Sequence, residues 1–162
     1  MIWELSYRAD PVARPIADRH YNRQSIGAPQ FVPPGRCLVL LAPEALWVTS
    51  WPFAEYVKHR WKGAWVNSCF RREGGELASE MIRQAVACTC WYWPEVPTLG
   101  MVTFIDRDKV RRKRDYGRCY LRAGFEPDGQ TQGGLLAFRM PPEKMPAPLR
   151  PKPASGQMDW LF

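Results

Sequence analysis

Apolar positions along the chain fall into strand-length runs separated by turn residues, and two segments carry helical spacing instead. Residues 37–41, CLVLL, form a continuous apolar run that ends at Ala42-Pro43-Glu44, which predicts a buried strand and a turn. Residues 45–50, ALWVTS, return from that turn and complete a hairpin. Residues 63–70, GAWVNSCF, read as the third strand of the meander. Residues 100–106 (GMVTFID) and 134–140 (GLLAFRM) read as two further strands, and residues 2–7 as a short first one.

Helical spacing runs through residues 77–91, LASEMIRQAVACTCW. It places Leu77, Met81, Ile82, Ala85, Val86 and either Cys88 or Thr89 on one side, and Pro94 and Pro97 end it. Asp10-Pro11 is a capping residue followed by proline, which predicts a helix over residues 11–21. A short helix over residues 116–123 would close at Gly124, a natural C-cap. Residues 22–36 hold three prolines and two glycines and read as a loop.

The element order predicts an α/β domain over residues 1–140, with a mixed, partly parallel central sheet flanked by helices. From Pro141 the segment PPEKMPAPLRPKP holds six prolines. That composition predicts an extended or disordered tail over residues 141–162, ending in the apolar hexapeptide QMDWLF.

Charge changes the picture next. The 162 residues carry a formal net charge of +7, which favours a polyanionic partner. Residues 107–122 hold eight basic side chains, with Lys109, Arg111, Arg112, Lys113 and Arg114 at their centre, against Asp108 and Asp115. Such a run suits DNA phosphates, with a solvated basic face as the alternative. Residues 51–63 interleave Trp51, Phe53, Tyr56 and Trp61 with Lys58, Arg60 and Lys62. Flat rings among cations suit a base withdrawn from duplex DNA; the alternative is that several rings cap the sheet. Trp47 and Trp65 belong in the core on this reading, and His59 at the surface or on a phosphate.

No apolar run approaches the ~18 residues that span a bilayer, and the N-terminus has no cleavable signal pattern. A cytoplasmic protein without membrane contact is the expectation. Its five cysteines would then be reduced thiols. Cys88-Thr-Cys90 is too closely spaced for a zinc knuckle, and with two histidines the spacing indicates no metal site.

Three places carry candidate chemistry. Asp106 ends an apolar strand, where an acid either serves a reaction or caps the turn Asp106-Arg107-Asp108. Tyr120 offers a phenol for proton transfer or a ring for packing. His20 and Tyr21 follow the first helix; His20 could be a base, or a capping cation at the helix end.

The residues Tyr120-Leu-Arg-Ala-Gly124-Phe125, carried on a short helix after an apolar strand, resemble the Tyr-x-x-x-Gly-Phe pattern of the GNAT acyltransferase family. The resemblance implies an acyl-coenzyme A donor, acetyl-CoA or a related molecule. Its pyrophosphate would meet the amides of a helix beginning at Leu77, Ala78 and Ser79, after Arg71 and Arg72. Tyr120 would face the thioester. In Arg71-x-x-Gly74-x-Glu76, an acid stands where the family's second small residue falls.

Over residues 17–136 the chain is similar to the Mom-type DNA-modification proteins of bacteriophages, a divergent GNAT branch. His20-Tyr21, Trp51-Pro52, Leu77-x-Ser79 and Asp106 ahead of Gly117-x-x-Tyr120 carry that similarity. It implies conversion of the N6 amine of adenine in DNA to a carbamoylmethyl-type adduct that shields DNA from restriction, with His20, Tyr21, Asp106 and Tyr120 catalytic. The alternatives are an ordinary N-acetyltransferase on a small amine or protein, and a non-enzymatic DNA-binding protein on the same scaffold. QMDWLF resembles the peptides that bind bacterial sliding clamps, with Gln157, Leu161 and Phe162 as anchors.

Overall fold

A computed structural model describes residues 1–20, 23, 26–109 and 117–154. Seven strands build one sheet: β1 (Glu4–Leu5), β2 (Arg36–Ala42), β3 (Ala45–Trp51), β4 (Trp65–Arg72), β5 (Met101–Ile105), β6 (Glu126–Gln130) and β7 (Leu136–Met140). Their spatial order is β1-β2-β3-β4-β5-β7-β6. All neighbours are antiparallel except β4 and β5, which run parallel. The helices are α1 (Arg14–Asp18), α2 (Ala78–Tyr92) and α3 (Arg118–Ala123). A parallel pair needs a crossover, and α2 supplies it.

Strand alternation decides which helix covers which face. Leu38, Leu40 and Trp47 pack with Met81, Ile82, Ala85 and Val86 of α2 and with Ala123 of α3. Their neighbours Val39, Leu46 and Val48 pack with Ile16 and Ala17 of α1. So α1 lies on one face and α2 with α3 on the other. Trp47 and Trp65 are fully buried, as their positions predict.

Asp10 does not cap α1: its Oδ1 accepts the Val12 N–H at 2.9 Å and holds the turn ahead of the helix, whose N-cap is Ala13. The helix itself is shorter than residues 11–21. Leu77 is not on the buried stripe of α2 but precedes the helix, 63% exposed. Gly124 caps α3 in the left-handed region, at φ 111°. β6, with the sequence EPDGQ, has no apolar pattern and is a strand only through its pairing with β7.

The described part of the tail, residues 141–154, lies against the domain. After a 3₁₀ turn at Pro142–Lys144, residues 145–154 are extended, as their prolines predict, yet they are strapped to the domain. Leu149 N–H donates to the Ala87 carbonyl at 3.1 Å. Lys152 pairs in parallel with Glu4 at the β1 edge, donating to the Trp3 carbonyl at 2.9 Å and accepting from Leu5 N–H at 2.8 Å. Pro151 is buried. Prolines leave the undocked segment little freedom to lose, so few contacts hold it. Gln157, Leu161 and Phe162 lie outside the described residues.

Candidate functional site

β4 and β5 pair only over Trp65↔Met101, Val66↔Val102 and Asn67↔Thr103. Beyond Asn67 and Thr103 the strands part, although β4 continues to Arg72 and β5 to Ile105. The other side of β4 is irregular at the same level. Val48 pairs with Cys69 and Thr49 with Asn67, so Ser68 is an extra residue, a β-bulge. The bulge also resets the side-chain alternation. Trp65 faces α2 and Cys69 faces α1, whereas an unbroken strand would put both on one face. A cleft of about 290 Å³ opens where the strands diverge. Its walls include His20, the β4 residues 67–72, Thr103 to Ile105, Gly117, Cys119 and Tyr120.

Tyr120 lies at 8% exposure and donates its hydroxyl hydrogen to Asn67 Oδ1 at 2.5 Å. Thr103 Oγ1 stands 3.2 Å from the same oxygen. On its other side Asn67 donates from Nδ2 to the carbonyls of Val48 at 3.0 Å and Cys69 at 2.9 Å. Two carbonyls on one side and two hydroxyls on the other fix the amide orientation. The side chain of Asn67 thus ties the bulge, β5 and α3 together. Phe70 links two more candidates. Its carbonyl accepts from His20 Nε2 at 3.1 Å, and its ring meets Tyr120 edge-on at 6.4 Å.

Gly117 shapes the cleft from α3. It is left-handed, at φ 75°, and a Cβ there would stand 2.7 Å from the Phe138 ring and 3.1 Å from Ile105 Cδ1. Cys69 also lines the cleft, but burial pushes its thiol up to about 12, which rules out a ready thiolate.

The cleft mouth is cationic and lies beside the start of α2. Arg71, Arg72 and Ala78 line it. Among the described residues no side chain caps the α2 N-terminus, so its first amides remain outside the capping pattern helices commonly use. Arg72 donates to the Glu76 carbonyl at 2.6 Å and the Gly75 carbonyl at 3.3 Å, bracing the turn. Arg19 grips Glu73 with two bonds, at 2.6 and 2.5 Å, and Arg71 adds a third at 2.9 Å. Hydrogen bonds from Arg19 and then Arg71 hold the Glu73 carboxyl down at about 2. A depressed carboxylate contributes stability above its ordinary value of 4.5 and loses it as pH falls through about 2. Glu73→Gln should therefore lower Tm at neutral pH, by no more than about 2 °C because water screens the pair. The difference from wild type should shrink between pH 4.5 and 2 in a pH series of thermal melts.

The structure distributes the other expected residues unevenly. Asp106 stands one residue past Ile105, and its Oδ1 accepts the Asp108 N–H at 3.0 Å. Its carbonyl accepts from Lys109 N–H at 3.1 Å, so the geometry is that of a turn cap. Trp61 is a correction. It is 3% exposed, packs edge-on against Phe104 and donates to Asp128 Oδ2 at 2.6 Å, so it cannot receive a base. Trp51 is half-buried against Trp65 and Trp93, and the Arg36 guanidinium lies 4.1 Å above its ring. Arg60 is engaged with Asp128 and the Trp61 ring, while Lys58 and Lys109 are exposed. Leu77, Ala78 and Ser79 do sit at the α2 start. Tyr21, Arg111, Arg112, Lys113 and Arg114 lie outside the described residues.

Asn67, Thr103 and Phe70 were not singled out from the sequence. The available signal was an asparagine inside the apolar run of residues 64–70, AWVNSCF, where a polar side chain needs buried partners. Among the described residues no three His, Cys, Asp or Glu side chains converge to hold a metal, and no helix is long and apolar enough to cross a membrane. No protein-family model, curated protein or solved structure matches the chain.

Proposed function

We propose that the chain is a GNAT-like transferase that modifies an exocyclic amine of DNA, the N6 amine of adenine, and so protects DNA from restriction. The observation that carries this reading is the cleft between two parted parallel strands, with the Tyr120 hydroxyl, held by Asn67, in its wall. A cleft of that kind admits a long, thin donor between strands that no longer bond to each other. The uncapped α2 start, with Arg71 and Arg72 beside it, suits the donor's phosphates. An acyl-coenzyme A or a related molecule fits those requirements. The amine nitrogen would bond to the donor carbon as the bond to the leaving group breaks. The amine's proton would go to a base, and His20 in the cleft wall is the candidate. The net charge of +7 supports a polyanion as the acceptor's carrier.

Mass spectrometry of nucleosides tests the proposal. Plasmid DNA from bacteria expressing the protein should contain a heavier deoxyadenosine that vector-only DNA lacks. The mass difference gives the transferred group. Soluble protein that binds acetyl-CoA, acetylates small amines and leaves DNA nucleosides unchanged would replace this reading with an ordinary N-acetyltransferase. Retained DNA binding with neither activity would leave a DNA-binding protein on the same scaffold.

A further inference from the structure

The segment between β3 and β4 exposes aromatic surface that the core does not use. Phe53 is 51% exposed and Tyr56 76%. Tyr56 ends a single 3₁₀ turn, Ala54–Tyr56, and Phe53 is its extended N-cap residue. Their centroids are 6.5 Å apart, edge to face. Arg36 reaches over from the start of β2, its guanidinium 4.1 Å from the Trp51 ring and 5.6 Å from the Phe53 ring. Lys58 and Lys62 are exposed on the same segment, and Glu55 is its one acid.

Rings left in water beside cations match one ligand chemistry well. Unpaired bases stack on flat side chains whatever their identity, while cations take the phosphates between them. Duplex bases are already stacked and gain little from such a surface. The position adds to the argument. Further along the same segment, His59 and Trp61 pack on Phe104, at 5.1 and 5.3 Å, and Phe104 lines the cleft. The segment therefore leads from the exposed rings to the cleft wall.

We infer that Phe53 and Tyr56 form a stacking platform for unpaired DNA bases, flanked by Arg36 and Lys58 for the backbone. Its placement next to the reacting nucleotide rests on the proposed transferase reading; the binding of single strands does not.

Fluorescence anisotropy with the full-length protein tests this, using a labelled oligothymidylate and a duplex of the same length at physiological salt. Wild type should bind the single strand more tightly than the duplex. The Phe53→Ser/Tyr56→Ser double variant should bind the single strand about ten-fold or more weakly, with the duplex changed by less than about three-fold. The salt dependence should stay the same, since no cation is removed. Both rings are exposed, so thermal melts should show a folded protein. Unchanged single-strand affinity in the folded variant, an equal loss on both DNAs, or no single-strand binding by wild type would each overturn the platform. The nucleoside measurement separates the two proposals. An adduct made equally by wild type and double variant, with unchanged single-strand affinity, removes the platform and keeps the transferase. Lost single-strand affinity with no adduct from wild type keeps the platform and removes the transferase.

Discussion

Asn67→Leu is expected to be among the most damaging single substitutions in the chain, costing about 4 kcal/mol or more. Asn67 is 5% exposed. Leucine has a similar volume, so no cavity is created and the loss is almost wholly one of hydrogen bonds. Four groups bond to the amide: the carbonyls of Val48 and Cys69, and the hydroxyls of Tyr120 and Thr103, the last of which also reaches the Asn67 backbone carbonyl at 3.4 Å. Losing a hydrogen bond at a buried polar group costs roughly 1–3 kcal/mol, and relaxation recovers only part of the sum. For a chain of this size that loss lowers Tm by roughly 10 °C or more. The bulge at Ser68 loses its tie at the same time, so the parting of β4 from β5 is no longer held in one geometry. Thermal melts of wild type and variant check the expectation. A fall in Tm below about 3 °C would show that the amide does not hold this junction.

Much of the scaffold was legible because local pattern and tertiary environment agree there. The CLVLL run and its ALWVTS return become β2 and β3, in register from Arg36↔Trp51 to Ala42↔Ala45. The apolar stripe of α2 and the glycine that closes α3 were equally plain. Three features resisted for different physical reasons. β6 has proline and glycine within five residues, and its strand character comes from an edge pairing with β7 that no local propensity encodes. Trp61 looked like a ligand-facing ring because it sits among cations. Its burial is decided by Phe104 and by Asp128, 67 residues away, which takes its indole hydrogen. The proline-rich strap was expected to be extended or disordered, and it bonds to Ala87 with a segment already close to its bound shape. The site was partly legible. Tyr120, His20, Arg71 and Arg72 line one cleft, and Ala78 joins them from α2. The residue that organises the cleft, Asn67, was hidden in a strand that was read only for its hydrophobicity.

Tyr120→Phe is expected to lower adduct formation about 100-fold while leaving the fold almost intact. The two effects separate because the Asn67 oxygen that takes the hydroxyl hydrogen keeps Thr103 nearby when the phenol goes. Stability should fall by only about 1 kcal/mol. The effect on transfer should be larger because of the bond's polarity. Asn67 Oδ1 can only accept, so the Tyr120 hydrogen is committed to it. Any hydrogen bond from Tyr120 to a substrate in this arrangement uses the phenol oxygen as acceptor. That suits the N–H of an attacking amine better than a leaving thiolate. The GNAT resemblance implies the opposite alignment, towards the thioester, and kinetics can tell the two apart. If Tyr120 protonates the leaving group, a donor whose leaving group needs no proton should restore most of the transfer lost in Tyr120→Phe. If Tyr120 holds the amine, the deficit should persist with such a donor. Nucleoside mass spectrometry of DNA from cells expressing Tyr120→Phe gives the first comparison, with a melt of the purified variant as control. A folded variant that forms wild-type levels of adduct would remove Tyr120 from the chemistry altogether, and would leave its bond to Asn67 as a purely structural one.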